Sequence, residues 1–224
     1  MFVTGLVVPG PAMETAAIPG EEDVVIRQGS PDSHQAAFVC NVDWGEAILP
    51  EILDVCEEKD VTMTFFVTGK WAEKNPTLLR EMYLAGHHIQ NHGYSHALCS
   101  QVPAEKVQEE IQKTEDVLWE LLGHRTRIFA PPSGDYDAKT LDICRELGYL
   151  ICLWSADTID WREGSTAQVI TDRILSKELS GGIILMHPKE ATAEALPGLI
   201  TVMRERGLEI VPLQELSIEP SSSL

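Results

Sequence analysis

The chain has 224 residues, 44% of them hydrophobic and 23% charged, enough to bury one substantial core. Its 17 Lys and Arg stand against 35 Asp and Glu, a formal charge of −18; this argues against nucleic acid or an anionic membrane as partner, because both are held by clustered cations. No stretch reaches the roughly 20 apolar residues of a membrane helix, so no membrane-spanning segment is expected, and the cysteines at 40, 56, 99, 144 and 152 show neither a CxxC pair nor metal-ligand spacing.

Residues 1–33 are rich in Pro, Gly and acids with little periodicity, which predicts an extended lead-in. Its start, MFVTGLVVPGPAM, is apolar but lacks a basic n-region and is broken by Gly and Pro, so it does not read as a signal peptide. From Ala36 onward, short apolar runs (AAFVCN, VTMTFFVTG, HHIQNH, RIFAPP, YLICLWSA, GGIILMH, LEIVPL) alternate with helical stretches. The helical stretches are PEILDVCEEKD, NPTLLREMYLAG, PAEKVQEEIQKTEDVLWELLG, AKTLDICRELG, AQVITDRILSKEL and TAEALPGLITVMRERG. Several end at a glycine (Gly86, Gly123, Gly148, Gly207), the residue that most easily takes the left-handed conformation closing a helix. A βα unit repeated about seven times predicts an α/β fold with a parallel sheet covered on both faces, closed or nearly closed into a seven-stranded (β/α) barrel over residues 34–216, with 217–224 as a tail. Its active site belongs at the C-terminal ends of the strands.

The polar residues at those ends are the candidates. In AFVCNVDWGEA, Asp43 follows an apolar strand as a carboxylate, a metal ligand or the first residue of a turn. In NHGYSH, His92 and His96 are four apart, a spacing that lets two imidazoles share a divalent metal. His187 closes the run GGIILM, where a strand-terminal imidazole suits general acid or base work. LWSADTIDWR carries Asp157 and Asp160 beside tryptophans, and an acid there can orient a histidine.

Taken together and in order, these segments resemble the polysaccharide deacetylases of carbohydrate esterase family 4, the NodB-homology domain. VTMTFFVTG is similar to the family's ATFFVxG strand and NHGYSH to its HxxxH metal motif; FAPPSGDYD is similar to its RPPYG loop, LWSADTIDW to its WxxDxxDW segment, and GGIILMH to its final Leu-His motif. The resemblance covers about residues 36 to 215 and implies a distorted barrel of seven strands. It also implies metal-assisted hydrolysis of N-acetyl groups from an amino-sugar polymer such as peptidoglycan or chitin, and a place outside the cell or at its envelope, with a cytoplasmic place left open by the absence of a clear signal peptide. His92 and His96 would hold the metal, zinc in the first place with cobalt, nickel or manganese as alternatives. His187 would protonate the leaving amine and Asp160 would orient it. Trp161, Leu185, Pro131, Tyr94 and Asn41 would contact substrate.

The first motif departs from the family. Its usual form is Thr-Phe-Asp-Asp-Gly, with the first Asp as base and the second as metal ligand. Counted without gaps, those positions fall on Asn41 and Val42, and Asp43 takes the place of the glycine. Ala130 stands where the family has the arginine that steadies the base. A similar NV-x-WG motif occurs in a divergent branch from spore-forming bacteria. Two expectations follow. In one, the protein is a metal-dependent N-deacetylase in which Asp43 supplies the missing carboxylate to metal or water. In the other it is a weak or inactive relative that binds glycan in the same groove. Hydrolysis of a non-sugar amide on the same barrel stays open beside them.

Overall fold

The computed structural model describes residues 20–218; most of the lead-in, residues 1–19, and residues 219–224 of the tail lie outside the described residues. Nine strands alternate with seven α-helices among them: β1 Val25–Ile26, β2 Gln35–Val42, α1 Leu49–Lys59, β3 Thr64–Val67, α2 Gly69–Lys74, α3 Pro76–Leu84, β4 His88–Asn91, α4 Ala104–Leu122, β5 Ile128–Phe129, α5 Ala138–Leu147, β6 Leu150–Cys152, β7 Ala156–Asp157, α6 Ala167–Leu175, β8 Gly182–Met186, α7 Glu190–Glu205 and β9 Glu209–Ile210.

The central strand β2 shows why the sheet forms where it does. Its side chains alternate between two layers. Ala36, Phe38, Cys40 and Val42 pack outward against the helices, while Ala37 and Val39 point into the barrel with Phe66, Ile128, Ile183 and Leu185. Both faces are covered, so between Gln35 at its start and Asn41 near its end the strand is apolar throughout.

All pairings are parallel, and the ladder runs β1-β6-β5-β4-β3-β2-β8-β7, with β9 added beside the start of β2. β6 lies near one end of this ladder and β7 at the other, yet only residues 153–155 join them, so the sheet must curl round on itself. The chain after β1 helps fill the seam, where the Gly29 N–H donates to the Gly181 carbonyl at 2.7 Å just before β8. Residues 211–216 plug the opposite end: the Val211 N–H bonds the Ala36 carbonyl, the Leu213 N–H bonds the Thr64 hydroxyl, and Val211, Leu213 and Leu216 join the interior cluster. The open mouth is therefore at the C-terminal strand ends. No helix among the described residues is long and apolar enough to cross a membrane.

The expected helices α1 and α3–α7 form, with Gly123 and Gly148 as left-handed C-caps and an Asp137–Thr140 capping box opening α5. The differences are in short elements. The sheet has nine strands rather than seven because β1 and β7 are two-residue strands. α2 is a six-residue helix capped by Thr68. β1 also carries part of the stretch read as an extended lead-in into the sheet. Glu21 anchors it: Arg27 Nη2 lies 2.9 Å from Glu21 Oε1, and the Tyr136 hydroxyl donates to Glu21 Oε2 at 2.6 Å. The barrel thus begins before residue 34.

Candidate functional site

Three strand ends meet at the mouth. At the end of β2, Asn41 continues the inward-facing row of Ala37 and Val39, buried, with its Oδ1 in contact with no hydrogen-bond partner among the described residues. Val42 points the other way, into the core beneath the helices. The chain then turns through Asp43, Trp44 and Gly45. Gly45 has φ +94°, and a Cβ there would fall 2.3 Å from the Pro188 ring, so only glycine lets this turn press against the end of β8. The result lays the Trp44 indole against the His187 imidazole, ring centres 6.3 Å apart and planes within 13°.

Among the described residues, Asp43 makes no metal-holding group with the histidines. Its exposed carboxylate accepts a hydrogen bond from the Thr68 hydroxyl at 2.8 Å, while the Thr68 N–H donates to the Val42 carbonyl at 3.0 Å. The first βα turn is thereby tied to the N-terminus of α2.

At the end of β4, His92 is buried and its Nδ1–H donates to the Ala130 carbonyl at 2.7 Å, leaving Nε2 as the lone-pair nitrogen. Burial, and then the neighbouring His96, push its pKa down to about 3, so it stays neutral. The His96 ring stands edge-on to it, 5.1 Å between centres, on a residue with φ +58°. The turn between them is fixed by Glu110, a buried carboxylate of α4. It accepts from the Ser95 N–H at 2.6 Å and the Ser95 hydroxyl at 2.7 Å, and pairs with Lys106 at 3.1 Å. Burial works to raise the Glu110 pKa, but these donors outweigh it and the net shift is downward. Asn91 holds the same turn from its other side, accepting from the Gly93 N–H and donating to the Ile111 carbonyl.

At the end of β8 the acid–imidazole pair is complete. Asp160, 5% exposed, accepts from His187 Nδ1–H at 2.7 Å, from the His187 backbone N–H at 2.6 Å and from the Thr192 hydroxyl at 2.8 Å. Burial pushes the Asp160 carboxyl up, and the His187 and Thr192 donors more than offset it, so its pKa is lowered. With Nδ1 engaged, His187 has Nε2 for a ligand. Asp157 has a raised pKa from burial and spends its Oδ1 on the Ile159 N–H at 2.7 Å, which holds Ile159 in a left-handed conformation. It shapes the loop that delivers Asp160.

The other expected contacts divide. Trp161 is exposed beside Asp160, Pro131 is buried at the start of the 130s loop, and Leu185 lines the barrel interior. Tyr94 does not face the mouth. Its hydroxyl donates to Glu73 and Lys113 lies over its ring at 3.6 Å, because the turn between His92 and His96 throws residue 94 outward onto α2 and α4. Glu110 and Thr192 come to the site by tertiary packing alone and no motif in the sequence marked them, while Thr68 occupies only the variable position of the VTMTFFVTG strand motif.

The family's metal is tested by the donors present. Two imidazoles suit zinc or another late first-row ion. Among the described residues, however, no third His, Cys, Asp or Glu joins them in a group able to hold a metal. The ligand carboxylate of the family's first motif is replaced by Val42, which faces away, and Asp43 is bonded to Thr68. The donor set therefore does not fit the family's three-ligand centre.

The comparisons with known proteins agree with this geometry. The family model for polysaccharide deacetylase matches residues 32–152. Among relatives, an uncharacterized protein of Bacillus subtilis, YlxY, is 36% identical over 87% of this chain and 60% of its own length. A peptidoglycan-N-acetylglucosamine deacetylase of Bacillus cereus is 33% identical over 75% of this chain and 62% of its own. The chain thus spans about three fifths of each of these relatives. Among solved structures, a CE4 family pseudoenzyme from Bacillus anthracis superimposes with a TM-score of 0.84 at 31% identity, covering 87% of this chain and 69% of that one. Fold, ordered motifs and matches converge, and the chain belongs to the polysaccharide deacetylase family.

Proposed function

We propose that this protein binds an acetylated amino-sugar polymer of the peptidoglycan type at the cell envelope, in the mouth of its barrel, and does so with little or no deacetylation. One observation carries the reading: the position of the family's base is filled by Asn41, buried, and among the described residues its Oδ1 has no partner and no carboxylate joins His92 and His96 in a metal-holding group. A carboxamide is neutral and cannot take a proton from water near pH 7, whereas its oxygen can accept a hydrogen bond from the N–H of an acetamido group. Replacing the arginine by Ala130 fits the loss of the base, since a buried cation without its carboxylate would be strongly disfavoured.

The retained pair keeps a second reading in view. His187, held by Asp160, is placed to give a proton to a leaving amine. The same residues therefore support slow hydrolysis of the bound N-acetyl group or of another amide. A binding measurement with peptidoglycan and chitin oligomers, run beside an acetate-release assay on the same ligands, separates the two. Binding without acetate supports the proposal, and acetate release abolished by His187→Ala replaces it with the second reading.

A further inference from the structure

The chain carries twice as many acids as bases, and several of its cations are neutralised locally: Arg27 by Glu21, Lys106 by Glu109 and Glu110, Arg145 by Asp23 and Asp142. Others have no acid so near, and at the mouth Lys189 is one of them. No carboxylate lies within 4.0 Å of its ammonium among the described residues. Its Nζ instead stands over the Trp44 ring, 4.5 Å from the centre, and that indole is stacked on His187. The arrangement is built in. Gly45 allows the close approach to Pro188 that brings Trp44 to His187, and the Lys189 N–H bonds the His187 carbonyl at 2.8 Å. An indole face holds an ammonium without neutralising it. A formal positive charge is thus held beside the imidazole on a protein whose overall field is negative.

We infer that Lys189, perched on Trp44, is a specificity residue that receives a carboxylate of the bound glycan, so that the mouth selects an amino-sugar chain bearing acidic substituents over a neutral one. The inference rests on the glycan-binding reading above and names the substrate class within it: a polymer in which N-acetylated sugars carry free carboxylates, as the lactyl ethers of peptide-free peptidoglycan strands do, rather than chitin. Arg162, laid over the exposed Trp161 ring at 5.3 Å and likewise without an acid within 4.0 Å, adds a second positive charge next to Asp160. The net charge of −18 opposes any loose attraction of an anion, so a preference for the acidic polymer must come from these local charges.

The test compares two probes of matched length: neutral N-acetylglucosamine oligomers, and peptidoglycan glycan strands stripped of peptide so that their lactyl carboxylates are free. The full chain should bind the acidic strand about tenfold more tightly at low salt, and the preference should shrink as salt approaches 0.5 M. Lys189→Gln, which leaves the backbone contacts of the α7 start in place, should lose most of that preference while binding the neutral oligomer as before. Trp44→Leu, which removes the perch, should weaken the preference in the same direction. Equal binding of both probes by the unmodified protein, or a preference that survives in Lys189→Gln, overturns the inference and leaves glycan binding standing. Failure to bind either probe overturns both together.

Discussion

The Thr68 hydroxyl donates to the Asp43 carboxylate at 2.8 Å, and this bond gives Asp43 a part in the turn that follows β2. It ties the turn after β2 to the cap of α2, and among the described residues Asp43 forms no metal-holding group with His92 and His96.

Asp43→Asn should therefore behave as a turn substitution. An amide oxygen can still accept from Thr68, so thermal unfolding should shift by no more than about 1 kcal/mol. Zinc uptake and glycan binding should be unchanged. Loss of metal uptake in this variant would show that the carboxylate swings over to the histidines.

The two residues at the family's carboxylate positions should respond differently to being made acidic. Val42 is fully buried beneath the helices, and Val42→Asp should destabilise the fold by about 3 kcal/mol or more through an unpaired buried carboxyl. Asn41 faces the mouth and its oxygen already lacks a partner, so Asn41→Asp should cost markedly less. Denaturant midpoints decide it. A well-tolerated Val42→Asp that also gains zinc affinity would mean that residue 42 reaches the mouth.

Glu110 should act as the keeper of the 93–96 turn. Glu110→Gln removes the charge that draws in Ser95 and Lys106 at a buried position, and a loss of about 1–3 kcal/mol is expected. Amide hydrogen exchange should rise at Gly93, Ser95 and His96 more than in the α7 region. Uniform protection across both regions would deny Glu110 that local role.

His87 makes stability depend on pH. It is buried with Nδ1 accepting from the Met63 N–H at 3.2 Å, and burial, then His88, lower its pKa to about 4. Between pH 6.5 and 4 the unfolded chain binds a proton that the folded chain refuses. The His87 contribution is thus fully present above pH 6.5 and is lost as pH falls through that window, about 3 kcal/mol in all. In His87→Gln, where the amide oxygen can still accept from Met63 but does not titrate, the slope of stability against pH in this window should flatten. An unchanged slope would assign the acid sensitivity to other groups.

Much of the fold was legible because long periodic segments announce themselves. α4 runs 19 residues with an apolar stripe and a closing Gly123. β1, β7 and α2 were not legible, since two to six residues carry too little pattern and are held by partners far along the chain. In the site, strand-end histidines and Asp160 stood out as polar breaks in apolar runs, and the structure joins Asp160 to His187 directly. The Thr68 bond to Asp43 was not legible because the two residues are 25 positions apart. Glu110 was invisible for a related reason: it sits next to Glu109, the same residue type on the same helix, and only the packing of α4 against the 93–96 turn buries one and exposes the other.

On the proposed reading, this barrel holds an N-acetylated glycan without the base and carboxylate ligand needed to cleave it. The most direct measurement is acetate release from peptidoglycan glycan strands at saturating, independently verified binding, with and without added zinc. Saturable binding is expected, with acetate at the level of the protein-free control in both conditions. Zinc-dependent acetate release that disappears in both His92→Ala and His187→Ala would contradict it.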